Sequence, residues 1–300
     1  MWRSVLSPAV ELAVAVDIGG TKMAAALVDG DGRLVERVSG PTPTGSDAHA
    51  SHTFDALKGL LVPLLSAEVV VVGVGCGGPM LPGGEEVSPL NIPAWRGFPL
   101  RARLAELTGL PVFIDNDAKA LALGEGWKGA AAGSRNFIAM VVSTGVGGGI
   151  VLDGRLLEGA AGNAGHIGHV IVEPDGRPCA CGARGCLEAE ASGLSIAAMI
   201  GGPASSASAA VVERTGRLVG RAVASVANLL DLPLAVVAGS VALGFGAPFF
   251  AAAQAEIDRS ARLDFSAGAR IVPAGLGADG PLVGAAAVGW RGLHGDDRGP

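Results

Sequence analysis

Short apolar runs stopped by glycine pairs set the rhythm of the chain. Leu12-Ala-Val-Ala-Val-Asp17 halts at Gly19-Gly20 and predicts a buried strand. Residues 23–28 predict a second strand, Asp29-Gly30-Asp31-Gly32 a hairpin turn, and residues 33–39 the returning strand. Residues 54–65 carry apolar side chains at helical spacing despite Gly59 and Pro63. Residues 69–74 predict a strand, 100–107 a helix, 112–114 a strand and 118–127 a helix, with Asp115 or Asn116 as N-cap. The pattern then starts again. Strands are predicted over 137–143, 149–152 and 155–157, with a turn at Asp153-Gly154. A long amphipathic helix over 211–230, a strand over 234–238, a helix over 245–257, a strand over 270–273 and a last helix over 282–290 follow. Residues 199–210 read as a loop. The two halves repeat an organisation rather than a sequence. The expected division gives one domain of residues 1–118, with helix 279–292 packing back on it, and a second of residues 119–278.

Composition narrows what such a chain can be. Its 300 residues are 49% apolar and 17% charged, which excludes disorder. The 48 glycines show no period of three, which excludes collagen. A net charge of −6 without a Lys/Arg cluster argues against general nucleic-acid binding. It leaves room for a nucleotide held by local amides and a metal ion. Residues 1–12 are broken by Arg3, Pro8 and Glu11 and read as neither signal peptide nor membrane span. A soluble cytoplasmic protein is the expectation.

The glycine turns carry the candidate chemistry. In Asp17-Ile-Gly-Gly-Thr-Lys22 a strand delivers a carboxylate to a turn whose amides can approach phosphate closely. Asp17 can hold Mg2+ directly or through water. The plain alternative is a tight hairpin with a capping Asp. Ser143-Thr-Gly-Val-Gly-Gly-Gly149 is a second such loop, and Gly239-Ser240 closes a third strand end where backbone can approach an adenosine. Asp115-Asn116-Asp117 opens a helix directly after a strand. Capping needs only one of these residues, so Asp117 is a candidate base for a substrate hydroxyl. Gly73-Val-Gly-Cys-Gly-Gly78 formally matches a dinucleotide turn, but Pro79 and Pro82 follow where a helix should start.

His169, Cys179, Cys181 and Cys186 make a Cys3His set, with glycines and the Pro174–Pro178 run letting the chain wrap one ion. With four protein ligands the expected Zn2+ is structural. The alternative is three reduced core cysteines. His166 sits three residues before His169, and Glu188 two after Cys186.

Together the Asp17 turn, Asn116-Asp117-Ala118, the Ser143 loop and the His169/Cys179/Cys181/Cys186 segment resemble the ROK family, a name covering repressors, open reading frames and sugar kinases. The resemblance runs from about residue 13 to the final helix. It implies an α/β fold of two actin-like ATPase (ribonuclease H-like) domains flanking a cleft, with a structural zinc loop over 169–186. It implies ATP, Mg2+ and phosphorylation of a sugar hydroxyl, usually at the 6-position. Asp117 carries over as catalytic base; Asn91, Asn116, Asp117, His169 and Glu188 as sugar contacts; Gly19, Gly20, Thr21, Lys22, Thr144 and Gly145 as phosphate contacts.

One position departs from the family pattern. Most relatives place Glu where this chain has His166, which changes a two-acceptor group into one acceptor and one donor. The Ala-Gly-His-Ile-Gly-His run and the Pro41-Thr-Pro-Thr segment resemble the bacterial N-acetylmannosamine kinases. The sugar expected from this resemblance is therefore N-acetylmannosamine, contacted also by His166. A glucokinase is the alternative. A non-catalytic sugar sensor, or a ROK regulator lacking its DNA-binding domain, is the alternative of another class. Small-molecule partners only, no membrane, and a homodimer or homotetramer complete the expectation.

Overall fold

The computed structural model describes residues 10–43 and 49–295. Most of the opening stretch and Thr44 of the Pro-Thr-Pro-Thr segment lie outside the described residues. The chain forms two compact units, divided after Ala120 and rejoined at Pro281.

In the first unit, β1 (Leu12–Ile18) is flanked by antiparallel β2 (Lys22–Asp29), which pairs in turn with β3 (Leu34–Pro41). Helix α1 (Ala50–Leu61) leads to β4 (Val69–Cys76), and α2 (Leu100–Thr108) to β5 (Val112–Asn116). Both strands run parallel to β1, so the sheet reads β3-β2-β1-β4-β5. Burial explains the pattern. In β1 and β4 nearly every side chain is buried, which is why their Ala/Val runs do not alternate. β3 is an edge strand and mostly exposed. Pro63 ends α1 early, because proline has no amide to donate, and Val62–Leu64 tightens into a 3-10 turn.

Helix α3 (Asp117–Lys128) leads into the second unit. There β6 (Phe137–Val142), β7 (Val146–Leu152) and β8 (Arg155–Leu156) form an antiparallel set. Two short helices, α4 (Leu187–Ala191) and α5 (Gly193–Ile200), precede the 22-residue α6 (Ala209–Leu230). Then come β9 (Leu234–Ala238), α7 (Ser240–Phe245), α8 (Ala247–Ser260), β10 (Arg270–Pro273) and α9 (Gly280–His294), whose residues from Pro281 belong to the first unit. The sheet reads β10-β9-β6-β7-β8, the order of the first sheet repeated. The repeated organisation in the sequence is thus a repeated topology.

Three expectations change in detail. The second glycine loop is shorter than its composition suggests, since Val146-Gly-Gly-Gly149 already lies in β7. A Cβ on Gly148 would come within 3.1 Å of Gly165 O and the Ile167 side chain, so this glycine makes room for the segment above it. The helix expected over 245–257 is α8, and a further short helix, α7, precedes it, separated by Gly246 with φ of 61°. The segment read as a loop over 199–210 begins in α5 and ends in α6. The formal dinucleotide turn has a packing role: a Cβ on Gly73 would meet Ala285 O at 2.0 Å and Gly289 Cα at 2.9 Å, so α9 lies directly on β4. No α-helix starts at Gly78, and only a short 3-10 turn over Pro82–Gly84 follows.

Candidate functional site

The first unit collects Asp17, Gly19, Gly20, Thr21, Lys22, Asn91, Asn116 and Asp117 at one end of its sheet. Gly19 N donates to Lys22 O at 3.1 Å, closing the turn. Thr42 braces it, its hydroxyl donating to Gly19 O at 2.6 Å and its amide to Thr21 O at 3.0 Å. Gly20 has no room for a side chain, because a Cβ would lie 2.4 Å from Asn91 Cβ. The turn and Asn91 are therefore in direct contact. Thr21 and Lys22 are exposed.

β1, β4 and β5 are parallel neighbours, so Ile18, Cys76 and Asn116 end them in register, with Asp17 level with Gly75 and Asp115 one residue earlier. Asn116 accepts the amide of Ala118 at 3.0 Å and so caps α3. Asp115 is paired with Lys119 at 3.1 Å. Asp117 follows in the first turn of the helix, exposed, with one oxygen on its neighbour's amide at 2.8 Å. Burial, and then the charge of Asp117, push the Asp17 carboxyl up to about 6 against the opposing charges of Arg37 and Lys22. Two carboxylates held this way are relieved by a bound cation.

The second unit collects Thr144, Gly145, His166, His169, the three cysteines, Glu188 and Gly239. Ser143 N donates to Gly145 O at 2.9 Å, leaving Thr144 exposed at the tip. Ser143 and Ser240 hydroxyls lie 2.9 Å apart, joining the ends of β6 and α7. Gly239 adopts φ of 102°, and a Cβ there would meet Val142 O at 2.3 Å. Glu188 on α4 accepts the Val146 amide at 3.1 Å, and a Cβ on Gly145 would come 3.0 Å from that same Oε2. The carboxylate is thereby tied to the turn. His166 and His169 are exposed, with ring centroids 6.3 Å apart.

The four metal-ligand candidates converge. Their donor atoms all lie within 4.8 Å of one another. Cys181 Sγ and Cys186 Sγ are 3.7 Å apart, and Cys179 Sγ is 3.8 Å from His169 Nδ1. A tetrahedral ion with Zn–S bonds of about 2.3 Å needs sulfur–sulfur edges of about 3.8 Å, so the set fits one cation; a disulfide would need about 2.05 Å. Burial and the neighbouring thiols push Cys186 up to about 12, so cation binding must displace protons. Gly185, with φ of 71°, passes so close to Glu173 O that no side chain fits.

Sequence patterning did not reveal two buried carboxylates, one of them behind this loop. Glu190, 1% exposed, accepts the Arg177 amide at 2.6 Å and Arg214 Nη2 at 2.5 Å. Burial alone would raise its carboxyl, but those hydrogen bonds and the arginine charges hold it below the usual range. Glu125, also fully buried, accepts the amides of Ala130, Gly275 and Leu276. The one available signal was a carboxylate within an apolar helical stretch; the most distant partners are 24 residues away for Glu190 and 151 for Glu125.

The comparisons with known proteins fall on the same elements. An N-acetylmannosamine kinase of Citrobacter koseri is 40% identical over 252 residues, 78% of this chain and 84% of that protein. The crystal structure of a ROK hexokinase from Thermus thermophilus matches with a TM-score of 0.82 at 33% identity, covering 94% of this chain and 99% of the other. A ROK glucokinase from Streptomyces griseus, solved with glucose and AMPPNP, matches with a TM-score of 0.79 at 30% identity, covering 93% and 99%. The profile of the ROK family itself matches residues 13–290, nearly the whole span that carries the two sheets and both sets of residues. The chain belongs to the ROK family.

Proposed function

We propose that this chain is an ATP-dependent sugar kinase that transfers the γ-phosphoryl group to the 6-hydroxyl of N-acetylmannosamine. The observation that carries the reading is Asp117, an exposed carboxylate fixed in the first turn of α3, beside Asn116 and under the electrostatic influence of Asp17. Phosphoryl transfer asks of a protein mainly an orienting base and charge stabilisation, and this pair of carboxylates suits those tasks. The similarity to the Citrobacter koseri enzyme supports the choice of sugar, and the hexokinase and glucokinase structures support the reaction.

In this reading Asp117 accepts the proton of the 6-hydroxyl. Asn91, Asn116, His166, His169 and Glu188 bind the sugar. The turn of Gly19, Gly20, Thr21 and Lys22 and the turn of Thr144 and Gly145 bind phosphates, while Gly239 lets backbone approach the nucleoside. Mg2+ held by Asp17 would offset phosphate charge. His169, Cys179, Cys181 and Cys186 hold a structural Zn2+, and the donor spacing supports this assignment.

The test is kcat/KM for N-acetylmannosamine, glucose and N-acetylglucosamine with ATP. N-acetylmannosamine is expected to lead. Glucose leading by about tenfold, about 1.4 kcal/mol of transition-state binding, would establish the glucokinase reading instead. No turnover with any hexose would leave a sugar sensor.

A further inference from the structure

We propose that Arg214 is a positioning residue: through Glu190 it anchors the metal-binding loop and so fixes His169 and Glu188 for sugar. Its kinetic consequence rests on the sugar-kinase reading; its effect on the metal does not.

The anchor has two grips. Arg214 Nη2 bonds the Glu190 carboxylate, and Nη1 donates to Glu190 O at 3.1 Å. A planar guanidinium reaches the two acceptors with two separate nitrogens in a fixed fork, where an ammonium offers a single nitrogen on a flexible stem. The grip comes from α6, the longest helix of the chain, one face of which is buried in the unit's core. From Glu190 the connection runs to the Arg177 amide, two residues before Cys179. Arg177 O in turn accepts Gly185 N at 2.8 Å, one residue before Cys186. One buried carboxylate therefore steadies both arms of the loop at its ligands. The space is fully used: a Cβ on Gly176 would fall 2.4 Å from Glu190 Oε1.

The same short helix serves both ends. α4 begins right after Cys186, and Glu188 lies two residues before Glu190. Residues two apart on a helix point to nearly opposite sides. Glu190 turns to Arg214 while Glu188 turns to Val146 N. Freeing Glu190 would loosen the metal loop and release Glu188 from its direction. The pair borders a cavity of about 350 Å3 and Arg214 is 28% exposed, so its replacement leaves the core of the unit intact.

The experiment compares wild type, Arg214→Ala, Arg214→Lys and Asn228→Ala. Asn228 sits on the same helix but binds Ser260 and Ser266, away from the loop. Two quantities are read: the rate of zinc transfer to a chromophoric chelator, and KM and kcat for N-acetylmannosamine and ATP. For Arg214→Ala, zinc transfer is expected to be about tenfold faster or more, with sugar KM raised about tenfold and ATP KM little changed. Arg214→Lys should recover part of each effect. Asn228→Ala should lower Tm and change neither. If Arg214→Ala does not fold, Glu190→Gln is read by the same zinc assay and should also release faster. The proposal is overturned if Arg214→Ala or its substitute keeps wild-type zinc transfer. It is equally overturned if Asn228→Ala with a matched loss of Tm speeds transfer equally, or if the purified wild type carries no zinc. A wild type that releases zinc as expected but phosphorylates no hexose would refute the kinase reading and leave the anchor standing.

Discussion

Asp117 and Asp17 answer to different environments although both are carboxylates of one site. Asp117 is exposed and its charge opposes that of Asp17, so Asp117→Asn should not lower Tm and should leave zinc content unchanged. Loss of a general base costs about 100- to 10,000-fold in kcat, which steady-state kinetics would show. Asp17 is half-buried and pushed up to about 6, so folding raises its affinity for a proton. Stability is therefore lost as pH rises from the unfolded value near 4 to about 6, and the full cost persists above that. In Mg2+-free buffer at pH 7.5, Asp17→Asn should raise stability by on the order of 2–3 kcal/mol, while below pH 4 it should do nothing. Urea melts at both pH values would measure this. Activity should fall in the same variant, since the strained pair is what a cation relieves. Glu190 has the opposite sign. Its carboxyl is held low, so its contribution is present above the unfolded value and is lost as pH falls through the folded one.

At the scale of elements, glycine has two separable uses here. Gly59 in α1 has nothing within 4 Å of a built Cβ, so Gly59→Ala should stabilise by about 0.5–1 kcal/mol through helix propensity. Gly73 lies against α9, and Gly73→Ala should cost about 1–3 kcal/mol or more by forcing strand and helix apart. Paired chemical denaturations would separate the two. The same distinction explains which elements could be read in advance. β1 and β4 were legible because both faces are covered and the apolar run is continuous. α7 was hidden because six residues between Gly239 and Gly246 carry no helical period. The start of β7 was hidden because three successive glycines read as a loop, though the middle one, Gly148, makes room for Gly165 and Ile167.

Over the whole molecule, the repeated strand order was visible as a repeated succession of elements, since it depends on runs and turns rather than on particular side chains. Site residues within a motif were legible for the same reason. The Arg214–Glu190 and Glu125 connections were not, because their partners are joined only by the fold. No helix of the described residues is long and apolar enough to cross a membrane. With a net charge of −6 the chain should pass DNA–cellulose unretained at low salt, where a phosphate-binding surface would bind most strongly. The contact between Gly73 and Gly289 has a consequence for how such a chain can evolve. Elsewhere an added methyl can be compensated by trimming its neighbour. Here both partners are already the smallest residue, so no second-site replacement can return the lost volume. Saturation mutagenesis should therefore find both positions intolerant and neither rescued by a change at the other.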